Sequence, residues 1–248
     1  AVLTVGFPDM FPNVLPKFFD KNNEFGHIPH KMSSGFLCFT RTESLIIDER
    51  HPSAILLHCL EKVIRLIEDG ISGKNKQDFI EEFEVYWPAG SKSNIYAHID
   101  TENLRLRELT LWQKTVNDKQ LVYIAAEKNE PVENAIKQLF HIDTKTVKKY
   151  RCIYFPLETG AFIEPPANFE MWDFATLKNN IFKNLSSDNK HEFQRLIRQK
   201  SKDITAGRES VIIGLPIQNG NTILFGCTLS GHYSNLKNIK KNRVINQI

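Results

Sequence analysis

The chain has no long apolar run. Nothing in it approaches the ~18 to 20 consecutive apolar residues that a membrane-spanning helix needs, and the opening AVLTVGFPDMFP lacks the basic flank and extended apolar region of a secretion signal. A soluble, cytoplasmic protein with no membrane partner is expected. An excess of one charge is missing too: charged residues make up 25% of 248, the net charge is +3, and Lys and Arg are dispersed, so a nucleic-acid partner is not expected. Cysteine is sparse, and Cys38, Cys59, Cys152 and Cys227 stand far apart without a C-x-x-C pair. That spacing argues against a zinc site and a disulfide framework, leaving reduced thiols and no metal as the expectation. Nowhere does a G-x-G-x-x-G pattern occur, so no nucleotide cofactor is expected on this chain.

What is present divides the chain. Pro8, Pro12, Pro16 and Pro29 break helices, which makes the first 50 residues a strand-and-loop region opening on AVLTV, a strand already under way that implies a preceding segment. From Pro52, the residues Ile55, Leu56, Cys59, Leu60, Val63, Leu66 and Ile67 recur at helical spacing, with Gly70 as the stop. A second helix is expected with Asp78 as N-cap and Phe79, Phe83 and Trp87 as its apolar stripe, ended by Pro88. Residues 88–94 have linker composition. Beyond them NIYAHID, LTLWQKT and LVYIAAE read as strands, PVENAIKQLF and SSDNKHEFQRLIRQKSKDI as helices, and SVIIGLPIQNGNTILFGCTLSG as a hairpin around Asn-Gly. The expected organisation is therefore a first domain over 1–90, a mixed α/β domain over 95–233, and a basic tail over 234–248 with helical character.

The stretch GHIPHKMSSGFLCF carries the candidate chemistry. A cysteine nucleophile needs access, thiolate character and donors for a developing oxyanion. Gly35 permits a tight turn before Cys38, and His30 or His27 is near enough in sequence to share its pocket. Taken alone, these residues favour a buried structural cysteine, since Cys is among the most buried residue types.

The spacing of two longer stretches resembles the ubiquitin-conjugating enzyme family, in its bacterial form. Phe7-Pro8, Phe11-Pro12 and Pro16-Lys17-Phe18 fall at the offsets of the family's proline-punctuated strand connection. Pro29, His30, Gly35 and Cys38 stand where the family has the last two residues of its His-Pro-Asn tripeptide, a glycine and the catalytic cysteine. The family's His is Ile28 here and its Asn is His30.

The resemblance implies an α+β fold, with an antiparallel sheet and packed helices, followed by a second mixed α/β domain. It implies Cys38 as a thioester-forming nucleophile and, by position, His30 as an oxyanion donor or loop-positioning residue; unlike the family's asparagine, an unperturbed imidazole there would titrate near ~6.5. Gly35 would support the site, and Asp48 beyond it could help deprotonate an attacking amine. Related bacterial proteins fuse conjugating, linker and adenylating domains in anti-phage operons beside a cGAS-like nucleotidyltransferase. Expected partners are thus an activating domain or enzyme that uses ATP, a carried protein such as that nucleotidyltransferase or a ubiquitin-like protein, and a target amine. The alternatives are a non-catalytic adaptor of the same fold and a cysteine hydrolase.

Overall fold

The computed structural model describes residues 1–40, 46–87, 94–116, 120–141, 147–165, 174–199, 209–218, 220–230 and 238–246. The chain divides into two compact units, the first holding Ala1–Glu82 and the second the described residues from Phe83 onward.

The first unit is α+β. Strand β1 (Thr4–Gly6) pairs antiparallel with β2 (Lys17–Phe19), matching Val5 to Phe18. The proline-rich segment between them makes turns, closed by the Phe11 amide donating to the Pro8 carbonyl at 2.9 Å. Phe36 and Leu37 lie beside β2, with the Leu37 amide bonded to the Phe18 carbonyl at 2.9 Å.

Helix α1 (Pro52–Ser72) covers this sheet, with Pro52 in its first turn, where a missing N–H costs nothing. Cys59, Val63 and Ile67 are buried against Phe18, Ile28 and Leu37, and Ile55, Leu56, Leu60 and Leu66 border them. These seven helix residues are the face expected from their spacing. Gly70, expected as the stop, lies inside the helix instead. The end comes at Gly73, whose φ of 75° lets its amide reach the Gly70 carbonyl while the Lys74 amide reaches Asp69.

The expected second helix is two short pieces, α2 (Asp78–Glu81) and α3 (Phe83–Tyr86), parted at Glu82. Asp78 is not its cap: Gln77 holds that position without a side-chain bond. Phe79, Phe83 and Trp87 are all buried as the stripe required. Their partners differ, because Phe79 stacks on His27 in the first unit, while Phe83 and Trp87 pack on Phe225 in the second.

The second unit is a closed seven-stranded barrel in the order β3-β5-β4-β6-β7-β8-β9. Its strands are β3 (Asn94–His98), β4 (Arg107–Val116), β5 (Gln120–Glu127), β6 (Lys148–Pro156), β7 (Glu209–Pro216), β8 (Thr222–Ser230) and β9 (Asn238–Asn246). Helices α4 (Glu130–Leu139), α5 (Phe174–Lys183) and α6 (Ser187–Gln199) accompany them. Ile95, Leu109, Cys152, Tyr154, Ile212 and Leu224 share its buried core. The expected hairpin is β7 and β8, with its turn closed between Ile217 and Asn221. The segment expected as a helical basic tail supplies β9 instead, which joins β8 to β3 and closes the barrel. Its apolar residues Ile239, Val244 and Ile245 set no clear helical or strand periodicity, so its two neighbouring strands are what specify the extended form.

Candidate functional site

Four backbone bonds build the turn that carries Cys38. Gly35 donates to the Met32 carbonyl at 2.9 Å and accepts from the Asp20 amide at 2.9 Å; Met32 donates to the Phe36 carbonyl at 2.8 Å; Cys38 donates to the His30 carbonyl at 2.8 Å. Gly35 has a φ of 81°, and a Cβ there would meet the Asp20 carbonyl oxygen at 2.4 Å. Glycine is thus required twice at this position, for its dihedral and for its lack of a side chain. The thiol that follows is half-buried, whereas Cys59 and Cys152 are fully buried in their respective cores. Burial pushes the Cys59 thiol up from its ordinary value, although Lys62 acts against this. The Cys227 side chain lies outside the described residues.

His30 stands at the other end of the Cys38 amide bond, in the left-handed region with a φ of 64°. Histidine is one of the few residues found there with some frequency, as is the asparagine of the resembled family. Both ring nitrogens are engaged: Nδ1 with Glu82 Oε1 at 2.7 Å and Nε2 with Asp78 Oδ2 at 2.9 Å. The Glu82 hydrogen bond, helped by that of Asp78 and by both charges, outweighs burial and raises the His30 pKa to about 9. The ordinary titration expected near ~6.5 is therefore corrected: His30 is an imidazolium at neutral pH. Its stabilising effect is full below the unfolded value of ~6.5 and is lost as pH rises through about 9.

The next residue faces a different anchor. The Lys31 ammonium donates to Asp20 at 2.5 Å, to Asn23 at 2.6 Å and to the Gly26 carbonyl at 2.7 Å, and both ends of the ion pair are buried. Asp20 also accepts the amides of Glu24 and Phe25, so its carboxylate ties the whole 20–31 loop together. Burial alone would push the Asp20 carboxyl up; the Lys31 bond and charge and the two amides outweigh it and leave the group below its ordinary range. Nothing in the sequence pattern marked Asp20, Lys31, Asp78 or Glu82 as a group.

Ile28, in the place of the resembled family's histidine, is buried against α1. A Cβ on Gly70 would lie 2.8 Å from Ile28 Cβ, so the glycine is what admits the site loop to the helix. Gly70→Ala should therefore destabilise the first unit by up to about 2 kcal/mol, overpacking of about 1–3 kcal/mol being offset by roughly 1 kcal/mol of helix propensity. Hydrogen exchange of the first-unit amides in urea measures this, and a gain in stability would show that Ile28 yields freely.

The remaining expected residues are placed less centrally. His27 stacks on Phe79 with ring centroids 4.6 Å apart. Asp48 is exposed and chelated by Arg50, whose side chain and amide both donate to it, and that pairing lowers its pKa.

Residues 1–96 match the model of Prokaryotic E2 family B. The first unit is thus E2-like, which gives it a conjugating-enzyme-like character and makes activating enzymes and targets its general class of partner. No curated protein matches the chain. Among the described residues, no helix is long and apolar enough to cross a membrane.

Proposed function

We propose that the E2-like unit is an acyl-transfer enzyme that carries the C-terminal carboxyl of a protein as a thioester on Cys38 and passes it to an amine. The observation that carries this reading is the position of Cys38, a half-buried thiol at the end of a turn held by Gly35 and His30 within the matched region. The Cys38 thiolate attacks the carbonyl of an incoming thioester, and the donor's thiolate leaves. An unprotonated amine then attacks the new thioester, Cys38 departs as thiolate, and the surplus proton on nitrogen goes to solvent. A thioester held near a desolvated amine needs little beyond positioning.

His30 is assigned to positioning rather than to the oxyanion, because each of its ring N–H groups already faces a carboxylate. The same commitment disfavours a hydrolase in which His30 is the base, since a base needs an unprotonated nitrogen. Gly35 supports the turn; Asp48, bound to Arg50, is retained only as a supporting carboxylate. ATP-dependent adenylation is assigned to an associated activating domain or enzyme. The carried protein is assigned to a cGAS-like nucleotidyltransferase or a ubiquitin-like protein in bacterial anti-phage defence, which the resemblance of the Cys38 region implies.

A glycyl peptide thioester of 2-mercaptoethanesulfonate tests the chemistry without the natural donor. Incubation should add the peptide to the protein by intact mass, in a form removed by dithiothreitol, and Cys38→Ala should abolish the adduct. Cys38→Ser should give a thiol-resistant oxyester. Failure of the native chain to load, or undiminished loading of Cys38→Ala, overturns the assignment.

A further inference from the structure

The α2–α3 segment brings two carboxylates from 48 and 52 residues downstream onto the one residue whose carbonyl holds the Cys38 amide. We propose that Asp78 and Glu82 are positioning residues of the transfer site: gripping His30 by both ring nitrogens, they fix through its carbonyl the main chain that presents the Cys38 thiol. The inference rests on the reading of Cys38 as the acyl carrier.

Three features support it. First, His30 has a left-handed backbone, which a side-chain-bearing residue keeps only where its surroundings over-determine it. The two carboxylates do so from one direction, and the buried Lys31–Asp20 pair does so from the adjacent residue. Second, the grip is bidentate. One carboxylate would leave the imidazole ring able to pivot about a single contact, whereas two, on opposite ring nitrogens at 2.7 and 2.9 Å, fix it. Third, the chain of contacts is short. It runs from carboxylate to ring, from ring to backbone, and from the His30 carbonyl to the Cys38 amide at 2.8 Å.

The charged groups facing the ring come from the α2–α3 segment. Within its own loop, Lys31 is committed to Asp20 and His27 stacks on Phe79. With Asp78 and Glu82 ionised, their charges and that of His30 sum to −1, so the ring's proton is retained across neutral pH. Removing either carboxylate loosens the ring and makes it easier to deprotonate. Small displacements of a reacting group carry large kinetic costs, about 10²-fold for roughly 1 Å.

The test uses the full chain and the glycyl peptide thioester, with free lysine as acceptor. Glu82→Gln and Asp78→Asn should each still load Cys38 to completion, at a reduced rate, and once loaded discharge to lysine about 10-fold more slowly at pH 8, the double variant about 10²-fold more slowly. NMR titration of the His30 ring should show its pKa falling from about 9 toward ~6.5 in each variant. The decisive reading is the ratio of variant to native discharge rates, in which the titration of lysine itself cancels. That ratio should fall as pH rises, with its midpoint at the His30 pKa measured in the same variant. Glu82→Asp, which keeps the charge, should restore part of the rate.

A lowered His30 pKa with an unchanged discharge ratio at every pH overturns the positioning role. Native values for both also overturn it, because the grip would then be absent in solution. If the native chain fails to load at all, the reading of Cys38 fails instead, and the ring titration still decides whether the two carboxylates hold His30.

Discussion

Lys31→Met is expected to destabilise the first unit by about 3–5 kcal/mol, the cost typical of removing one partner from a buried ion pair. The methionine fills the same space, so the loss is electrostatic. It leaves the Asp20 carboxylate, fully buried, without the ammonium at 2.5 Å, and it leaves the Asn23 side chain and the Gly26 carbonyl without their donor. The pH dependence has a definite sign. In the native chain the Asp20 pKa lies below its unfolded value of ~3.9, so its contribution is present above that value and is lost only as pH falls through the depressed one. Without Lys31 the carboxyl keeps its burial but loses its cation, its pKa rises, and protonation relieves the stranded charge. The penalty should therefore be largest near neutral pH and shrink toward pH 4. All three tryptophans lie at or beyond residue 87, so fluorescence follows the other unit. Hydrogen exchange at the Asp20 and Leu37 amides in urea is the appropriate probe, and native protection at pH 7 would disprove the expectation.

Gly35→Ala should cost about 2–5 kcal/mol, combining roughly 1–2 kcal/mol for a left-handed alanine with about 1–3 kcal/mol for overpacking. The obstacle at 2.4 Å is the Asp20 backbone oxygen, not the tip of a mobile side chain. Relief must move residue 20 or residue 35, and the Asp20 amide donates to the Gly35 carbonyl, so it breaks a bond of the Cys38 turn. Gly26→Ala is the matched control. Its φ of 67° is also left-handed, but nothing lies within 4 Å of the added carbon, so only the dihedral term of roughly 1–2 kcal/mol remains. Chemical denaturation followed by exchange at first-unit amides should separate the two variants. Equal losses would mean that the steric conflict is relieved without cost.

Helix α1 was legible because seven apolar residues repeat at its period, and the β7–β8 hairpin because an Asn-Gly turn joins two apolar runs. The Cys38 turn was legible only through the family resemblance, whose offsets among Pro29, His30, Gly35 and Cys38 are all local. Its supports were not. Lys31 reads as a surface residue because lysine is seldom buried, and its burial depends on a carboxylate eleven residues earlier that the turn folds onto it. Asp78 has the position and chemistry of a helix cap, so sequence pattern gave it that role; the structure gives its carboxylate to His30 across 48 residues. Periodicity also could not show that Glu82 interrupts the helix, since Phe79, Phe83 and Trp87 remain in phase and only their partners change. Long-range electrostatic pairing of this kind has no one-dimensional signature.

Closing the second unit into a barrel places its integrity on the last strand. Among the described residues each of its seven strands is hydrogen-bonded on both sides, so a partner that recognises proteins by adding a strand finds no vacant edge there. Among the described residues, β9 alone links β8 to β3. Its release, by proteolysis or by a competing segment, would uncover two unpaired edges at once and convert a closed surface into a template for self-association.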